Sequence, residues 1–295
     1  MRPLPRFPLA ETVNRPLRWG ATLFLLLGAG LAVSANTVVE PTPEQDRQRL
    51  VEFFAQRFPG VPLADYVYGA MIGNPDAKQQ YEQIMEFPPF MSDIDQGKKI
   101  WDTPFRNGKR FADCFPHGGH NVVGNYPYFD PARGKVVTFE MALNDCRRAN
   151  GESEFPYGQR DPMGVLIAYA RTLSDGMPIA VRVDSPQARE KYEAGRELFF
   201  RRIGQLNAAC AGCHLLNAGN TMRMEIISPA LGHAAHWPIF RGGEELMTFQ
   251  GRFKRCMEQM RAVPYGYASE EWNNLEYFLT YLSNGIPLRS SVFRK

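Results

Sequence analysis

Five consecutive residues concentrate the chemistry of this chain: Cys210-Ala211-Gly212-Cys213-His214. The spacing C-x-x-C-H is the attachment motif of c-type haem. Two thiols three positions apart on one helical turn can both reach the vinyl groups of a porphyrin and form thioethers. The histidine beside the second thiol then faces the iron and supplies a nitrogen ligand. A zinc site would need two further ligands at matching spacing, and the chain has no second CxxC and no HxxxH. A thioredoxin-like CxxC would open a helix after a strand, whereas Gly195 to Gln205, just before Cys210, reads as helix.

The segments that must position this motif come after an export signal. Residues 1–35 carry Arg2, Arg6, Arg15 and Arg18, then an uncharged apolar run from Ala21 to Val33, then the small-residue cleavage site Val33-Ser34-Ala35. The run is shorter than the roughly 20 residues that span a bilayer, so no membrane span is expected after cleavage. A periplasmic location follows, which suits haem attachment and permits disulfides. The segment holds four Arg and one Glu, and without it 34 basic and 31 acidic residues fall to 30 of each. A neutral mature chain with no basic patch excludes nucleic-acid binding.

Thr42 to Pro59 reads as a helix with Leu50, Phe53 and Phe54 on one face, and Glu86-Phe87-Pro88-Pro89-Phe90 as a rigid aromatic connection. The rest is a diverged internal repeat. Gly97-Lys98-Lys99-Ile100-Trp101 resembles Gly195-Arg196-Glu197-Leu198-Phe199. Thr138-Phe139-Glu140 stands eight residues before Cys146, as Thr248-Phe249-Gln250 stands eight before Cys256. Ser174 to Ile179 closes the first copy as Ser283 to Leu288 closes the second, and an apolar helix precedes each closure, Gly164 to Leu173 and Trp272 to Leu282. Lys135 to Thr138 is the best of few strand signals. The predicted fold is mainly α: two tandem cytochrome c-like domains, 36–185 and 186–295, linked through Pro178 to Ser185, with haem only in the second.

The copies differ at the chemistry. Where the second has CAGCH, the first has Cys114-Phe115-Pro116-His117-Gly118, which lacks the second thiol and the ligand histidine. Of five cysteines, Cys210 and Cys213 hold haem, and Cys114 and Cys146, in one copy of an exported chain, most simply form a disulfide. Closing a loop of about 30 residues would stabilise by roughly 3 to 4 kcal/mol in the chain-entropy model. His117 and His120, in a Gly-rich loop, read as solvated.

Cys256 is left over, 42 residues after His214, about where a cytochrome c supplies its distal ligand. The candidates there are Cys256, Met257, Met260, Met247, His233 and His236. Arg252 lies four residues before Cys256, so the two share a helix face. A guanidinium beside a thiolate suits a small oxyanion. Lys254 and Arg255 read as a solvated face, and Ala142 aligns with Arg252 in the haem-free copy.

With these residues in view, the chain resembles the SoxA family, the larger subunits of SoxAX cytochromes. The resemblance runs from Arg57-Phe-Pro and Glu86-Phe-Pro-Pro through Cys114-Phe-Pro and Cys210-Ala-Gly-Cys-His to Arg252-Phe-Lys-Arg-Cys256 and Ser283-Asn-Gly-Ile-Pro287. Some members carry two haems; the Cys114-Phe-Pro-His-Gly departure is similar to the single-haem type, in which a disulfide occupies the vacant site. The resemblance implies an L-cysteine S-thiosulfotransferase that joins thiosulfate oxidatively to a cysteine of the carrier SoxYZ. Its partners would be a small SoxX-like cytochrome subunit in a heterodimer and a c-type cytochrome that accepts the electrons. It implies one haem c on Cys210 and Cys213 with His214 proximal, Cys256 as distal ligand and catalytic persulfide sulfur, and Arg252 as the thiosulfate site. The rival expectation is a periplasmic electron-transfer cytochrome with a methionine distal ligand and no substrate.

Overall fold

The computed structural model describes residues 41–222, 225–242 and 245–294. The export signal expected over residues 1–35 lies outside them. The Thr42 hydroxyl accepts from the Gln45 N–H and the Gln45 side chain accepts from the Thr42 N–H, so a reciprocal cap starts α1 (Pro43–Arg57). Leu50 and Phe54 face inward from it. Asn74 caps α2 (Pro75–Glu86), a helix that sequence periodicity did not reveal because it buries only Tyr81. In the aromatic connection that follows, Phe87 is 87% exposed, whereas Phe90 is buried and stacks flat on Phe240 with centroids 3.9 Å apart.

Each copy of the repeat is organised by a glycine at a helix crossing. In the first copy α3 (Met91–Asp102) is followed by the hairpin β1 (Tyr128–Asp130) and β2 (Lys135–Val137), then α4 (Phe139–Ala149) and α5 (Val165–Thr172). Gly97 of α3 lies so close to α5 that a Cβ would collide with the Val165 carbonyl. In the second copy α6 (Pro186–Phe200) precedes β3 (Thr221–Met222), β4 (Glu225–Ile226), the hairpin β5 (Ile239–Arg241) and β6 (Glu245–Met247), α7 (Phe249–Gln259) and α8 (Glu270–Leu282). Gly195 of α6 meets the Asn274 carbonyl of α8 in the same way. The hairpins end in Thr138 and Thr248, whose hydroxyls cap α4 and α7. Last, β7 (Val292–Arg294) pairs in parallel with β5.

Helix α6 ends at Phe200 rather than continuing to Gln205. Gly204 adopts φ +71° against the Met260 carbonyl, a left-handed conformation that no helix holds, and Ile203 and Ala208 form a bridge. The segment after Pro178 is not a loose tether, since Ile179 and Val181 are buried. Pro178 bridges Pro287, the Ile179 N–H donates to the Ile286 carbonyl (3.0 Å), and the Asn284 side chain exchanges two hydrogen bonds of 2.9 Å with Val181. The closing segments of the two copies therefore lie against each other, and buried residues of both halves belong to one hydrophobic cluster. Among the described residues no helix is long and apolar enough to cross a membrane.

Candidate haem and sulfur site

Cys210 to His214 occupies a short turn that runs into the π-helical segment Gly212–Leu216, held by the Asn217 side chain donating to the Gly212 carbonyl (2.7 Å). His214 is oriented by its backbone and by its ring. Its carbonyl accepts from the Ala230 N–H (2.7 Å), and its Nδ1 lies 2.8 Å from the Ser228 carbonyl. A carbonyl can only accept, so Nδ1 carries the proton and Nε2 keeps the free lone pair. Burial lowers the His214 pKa to about 4, so the ring is neutral at pH 7, the form that ligates a metal.

Helix α7 supplies the facing residues. Phe249, Arg252, Phe253, Cys256 and Met260 recur at helical spacing along one stripe. Burial first, and then the field of Cys256, raise the pKa of both Cys210 and Cys213, and the field of Arg252 reaches Cys213, His214 and His233. The structure thus brings the unpaired thiol, the guanidinium and the CAGCH motif together. Burial, with Cys256 second, pushes the Cys210 thiol up to about 12, so it is a protonated thiol before it reacts. Among the described residues Arg252 has no carboxylate partner. Its neighbours in the helix do: Arg255 binds Glu245 through both oxygens at 2.9 and 3.0 Å, and Lys254 lies 3.9 Å from Glu258.

The other distal-ligand candidates occupy different surroundings. The His233 ring sits 4.6 Å from that of His214 and packs against both Trp237 and Phe249, which also stack on each other at 5.1 Å. His236 packs towards Gly69 of the N-terminal segment. Met247 and Met257 are buried, in β6 and α7. Met260 ends α7, and its carbonyl accepts from the Leu206 N–H. Sequence reasoning missed Ser228, which orients His214 through a backbone carbonyl, a group any residue offers.

In the first copy Cys114 and Cys146 form the expected disulfide, with Cα atoms 5.8 Å apart. The Asn150 side chain donates to the Cys146 carbonyl (2.8 Å). Trp101 stacks on Phe111 and Phe115 at 5.6 and 5.9 Å, and Phe115 meets Phe139 at a tilt at 5.7 Å, so rings fill this copy's interior. His117 and His120 are exposed, and no cluster of metal-ligating side chains occurs among the described residues.

Two unpaired thiols followed by a buried neutral imidazole with a free nitrogen are the donor set of a covalently bound haem, and they fit that group. The SoxA/TsdA cytochrome c domain family matches residues 96–179 and 194–288. The L-cysteine S-thiosulfotransferase subunit SoxA of Allochromatium vinosum is 41% identical over 94% of this chain and 99% of its own length. The chain belongs to the SoxA family. The corresponding subunit of Chlorobaculum tepidum is 38% identical over 97% of this chain and all of its own. The crystal structure of SoxXA from P. pantotrophus superposes with a TM-score of 0.66 at 26% identity, covering 74% of this chain and 84% of that one. The two stretches matched by the SoxA/TsdA domain begin beside Gly97 and Gly195 and end at Ile179 and Leu288. A cytochrome c domain implies c-type haem.

Proposed function

We propose that this chain is the catalytic subunit of an L-cysteine S-thiosulfotransferase that works on a cysteine of a SoxYZ-like carrier in the periplasm. Cys210, Cys213 and His214 would hold one haem c, with Cys256 as the further residue offered to it, and the group would supply an acceptor for electrons that pass on to a c-type cytochrome. A SoxX-like small cytochrome completes the heterodimer. The observation that carries this reading is Arg252, one turn before the unpaired Cys256 on the stripe facing the motif, with no carboxylate partner among the described residues.

Arg252 orients the dianion through charge-assisted hydrogen bonds, each worth roughly 1.5 to 3 kcal/mol. Cys256, whose sulfur is extended as a persulfide, is the attachment point. In net terms a Cys256 sulfur anion and thiosulfate form one sulfur–sulfur bond and release two electrons. The carrier thiolate then attacks that bond, takes the thiosulfate group and returns the Cys256 sulfur as an anion. Atoms and charge balance with the two electrons as the only other product.

The test is mass spectrometry of the carrier after incubation with thiosulfate, the haem-loaded heterodimer and oxidised cytochrome c. The carrier cysteine should gain one thiosulfate group with the wild type and none with Cys256→Met. Transfer that survives Cys256→Met would move the sulfur attachment point away from Cys256.

A further inference from the structure

The disulfide of the first copy is asymmetric in a way that cross-linking alone does not require. Cys114 is exposed, whereas Cys146, on α4, is 4% exposed. The sulfur–sulfur bond therefore runs from the surface inward. Past Cys114 the chain stays open. His117, Gly118 and Gly119 follow in left-handed conformations at φ 53°, 63° and 90°, and a Cβ on Gly118 would meet only Ala112, at 4.0 Å. Pro116 and His117 are exposed as well.

One amide serves both sulfurs. The Asn107 side chain donates to Asn150 Oδ1 (2.8 Å), which fixes which way round the Asn150 amide lies. Its nitrogen then donates to the Cys146 carbonyl (2.8 Å) and to Cys114 Sγ (3.4 Å), with Cys146 Sγ 3.9 Å away. A donor so placed is at hand for negative charge that develops when the bond opens. The carboxylate next to Cys114 in sequence, Asp113, accepts from the Arg110 N–H (2.7 Å). In thiol–disulfide exchange a thiolate attacks one sulfur and expels the other, so access decides which sulfur is attacked. From solvent the attack reaches Cys114 and expels Cys146; the reverse would need a nucleophile inside the core.

We propose that Cys114 is a thiol-exchange site, at which an exported dithiol reductant opens the Cys114–Cys146 disulfide while the chain stays folded. The first thiolate of the dithiol forms a sulfur–sulfur bond with Cys114 Sγ. The Cys114–Cys146 bond breaks, and Cys146 leaves with the electron pair beside the Asn150 amide. Burial favours the neutral thiol, so Cys146 then takes a proton. The second thiolate of the dithiol attacks the mixed disulfide and frees Cys114. Two electrons pass from the dithiol, which ends as a disulfide, to the protein, which ends with two thiols. The site is independent of the proposed transferase activity, since neither cysteine belongs to the haem and sulfur site.

The test treats the haem-loaded heterodimer with reduced glutathione, followed by acid quenching, alkylation and peptide mapping. A monothiol stops at the first step, so the attacked sulfur keeps the label. Cys114 should carry glutathione and Cys146 the alkyl group, at a rate linear in glutathione thiolate and unchanged by urea well below the unfolding transition. Cys256 falls on a different peptide, so any reaction of its sulfur is counted separately. Asn150→Asp keeps the acceptor for Asn107 and removes the donor, and it should slow the exchange about tenfold with the circular dichroism of the folded chain retained. If that variant fails to fold, the wild-type map still decides. Glutathione on Cys146, glutathione on both cysteines alike, or a disulfide that opens only as the chain unfolds overturns the proposal.

Discussion

The two copies of the repeat reach the same frame with different interiors. Thr138 and Thr248 cap equivalent helices, and Gly97 and Gly195 make equivalent crossings. The Ser174 hydroxyl accepts from the Val122 and Val123 N–H groups as the Ser283 hydroxyl accepts from the Gly232 N–H. In the first copy Cys146 is tied to Cys114 and shares a buried cluster with Trp101, Phe115 and Phe139. In the second, Cys256 at the same helical position stays free and faces Cys210 and Cys213. The frame is therefore specified by caps, glycine crossings and the paired closing segments, which recur in both copies. What changes between the copies is a handful of residues, which shows how a disulfide and aromatic side chains can close a fold whose sister copy is built to receive a cofactor.

The sharpest way to break the comparison is to remove what is unique to the second copy. Cys256→Met should keep the haem, change its visible spectrum and lower thiosulfate transfer by more than about a thousandfold, or ~4 kcal/mol. The haem count should remain one per chain in both proteins, because Cys114 to Gly118 lacks a second thiol and a ligand histidine. Two haems would remove the distinction between the copies.

Removing what is unique to the first copy should act on stability instead. Cys114→Ala opens a disulfide that spans 32 residues, with an expected loss of about 3 kcal/mol in chemical denaturation. The haem spectrum should be unchanged. A spectrum that shifts would mean that the copies are coupled through more than their frame.

Arg252→Ala makes α7 resemble α4, where Ala142 holds the equivalent position. Turnover should fall about ten- to a hundredfold, or ~1.4 to 2.7 kcal/mol, with the haem spectrum intact. Normal turnover in this variant would move the thiosulfate site elsewhere.

How much of this was legible in the sequence follows the same division. The frame was legible where one residue type does one job at a fixed distance, as with the capping threonines eight residues before Cys146 and Cys256 and the glycines of α3 and α6. The motif itself and the cysteine pairing in the first copy were legible for the same reason. Helix α2 was not, since a helix that buries only Tyr81 has no apolar stripe. The end of α6 was missed because the left-handed Gly204 is dictated by the Met260 carbonyl, over fifty residues away in the chain. Ser228 acts through its backbone carbonyl, so it could not appear as a local pattern.

The smallest effect concerns a buried pair at the seam between the copies, where they differ by one amide. Gln250 in α7 stands where Glu140 stands in α4. Its side-chain N–H groups donate to Asn273 Oδ1 and Glu276 Oε2, both at 3.0 Å, and its oxygen accepts from the Ala268 N–H (2.8 Å). Glu140 has a buried oxygen without a partner. Burial first, and then the negative field of Glu140, raise the Glu276 pKa from an ordinary 4.5 to about 8, against the opposing effects of Gln250 and Arg171. The folded chain thus keeps a proton that the unfolded chain gives up. The stability linked to it is fully present below about pH 4.5 and is lost as pH rises through about 8. Glu276→Gln removes this titration. Differential scanning calorimetry should find the Tm of the variant gaining on the wild type between about pH 5 and pH 9. For roughly 1 kcal/mol the gain would be about 2 to 4 °C in a protein of this size. Contributions from the buried histidines cancel in the difference. Glu140→Gln, which makes the seam symmetrical in amides, should flatten the wild-type pH dependence only in part, because burial of Glu276 remains. A Tm difference that does not change with pH would mean that Glu276 is ionised in the folded chain and that the seam is held by Gln250 alone.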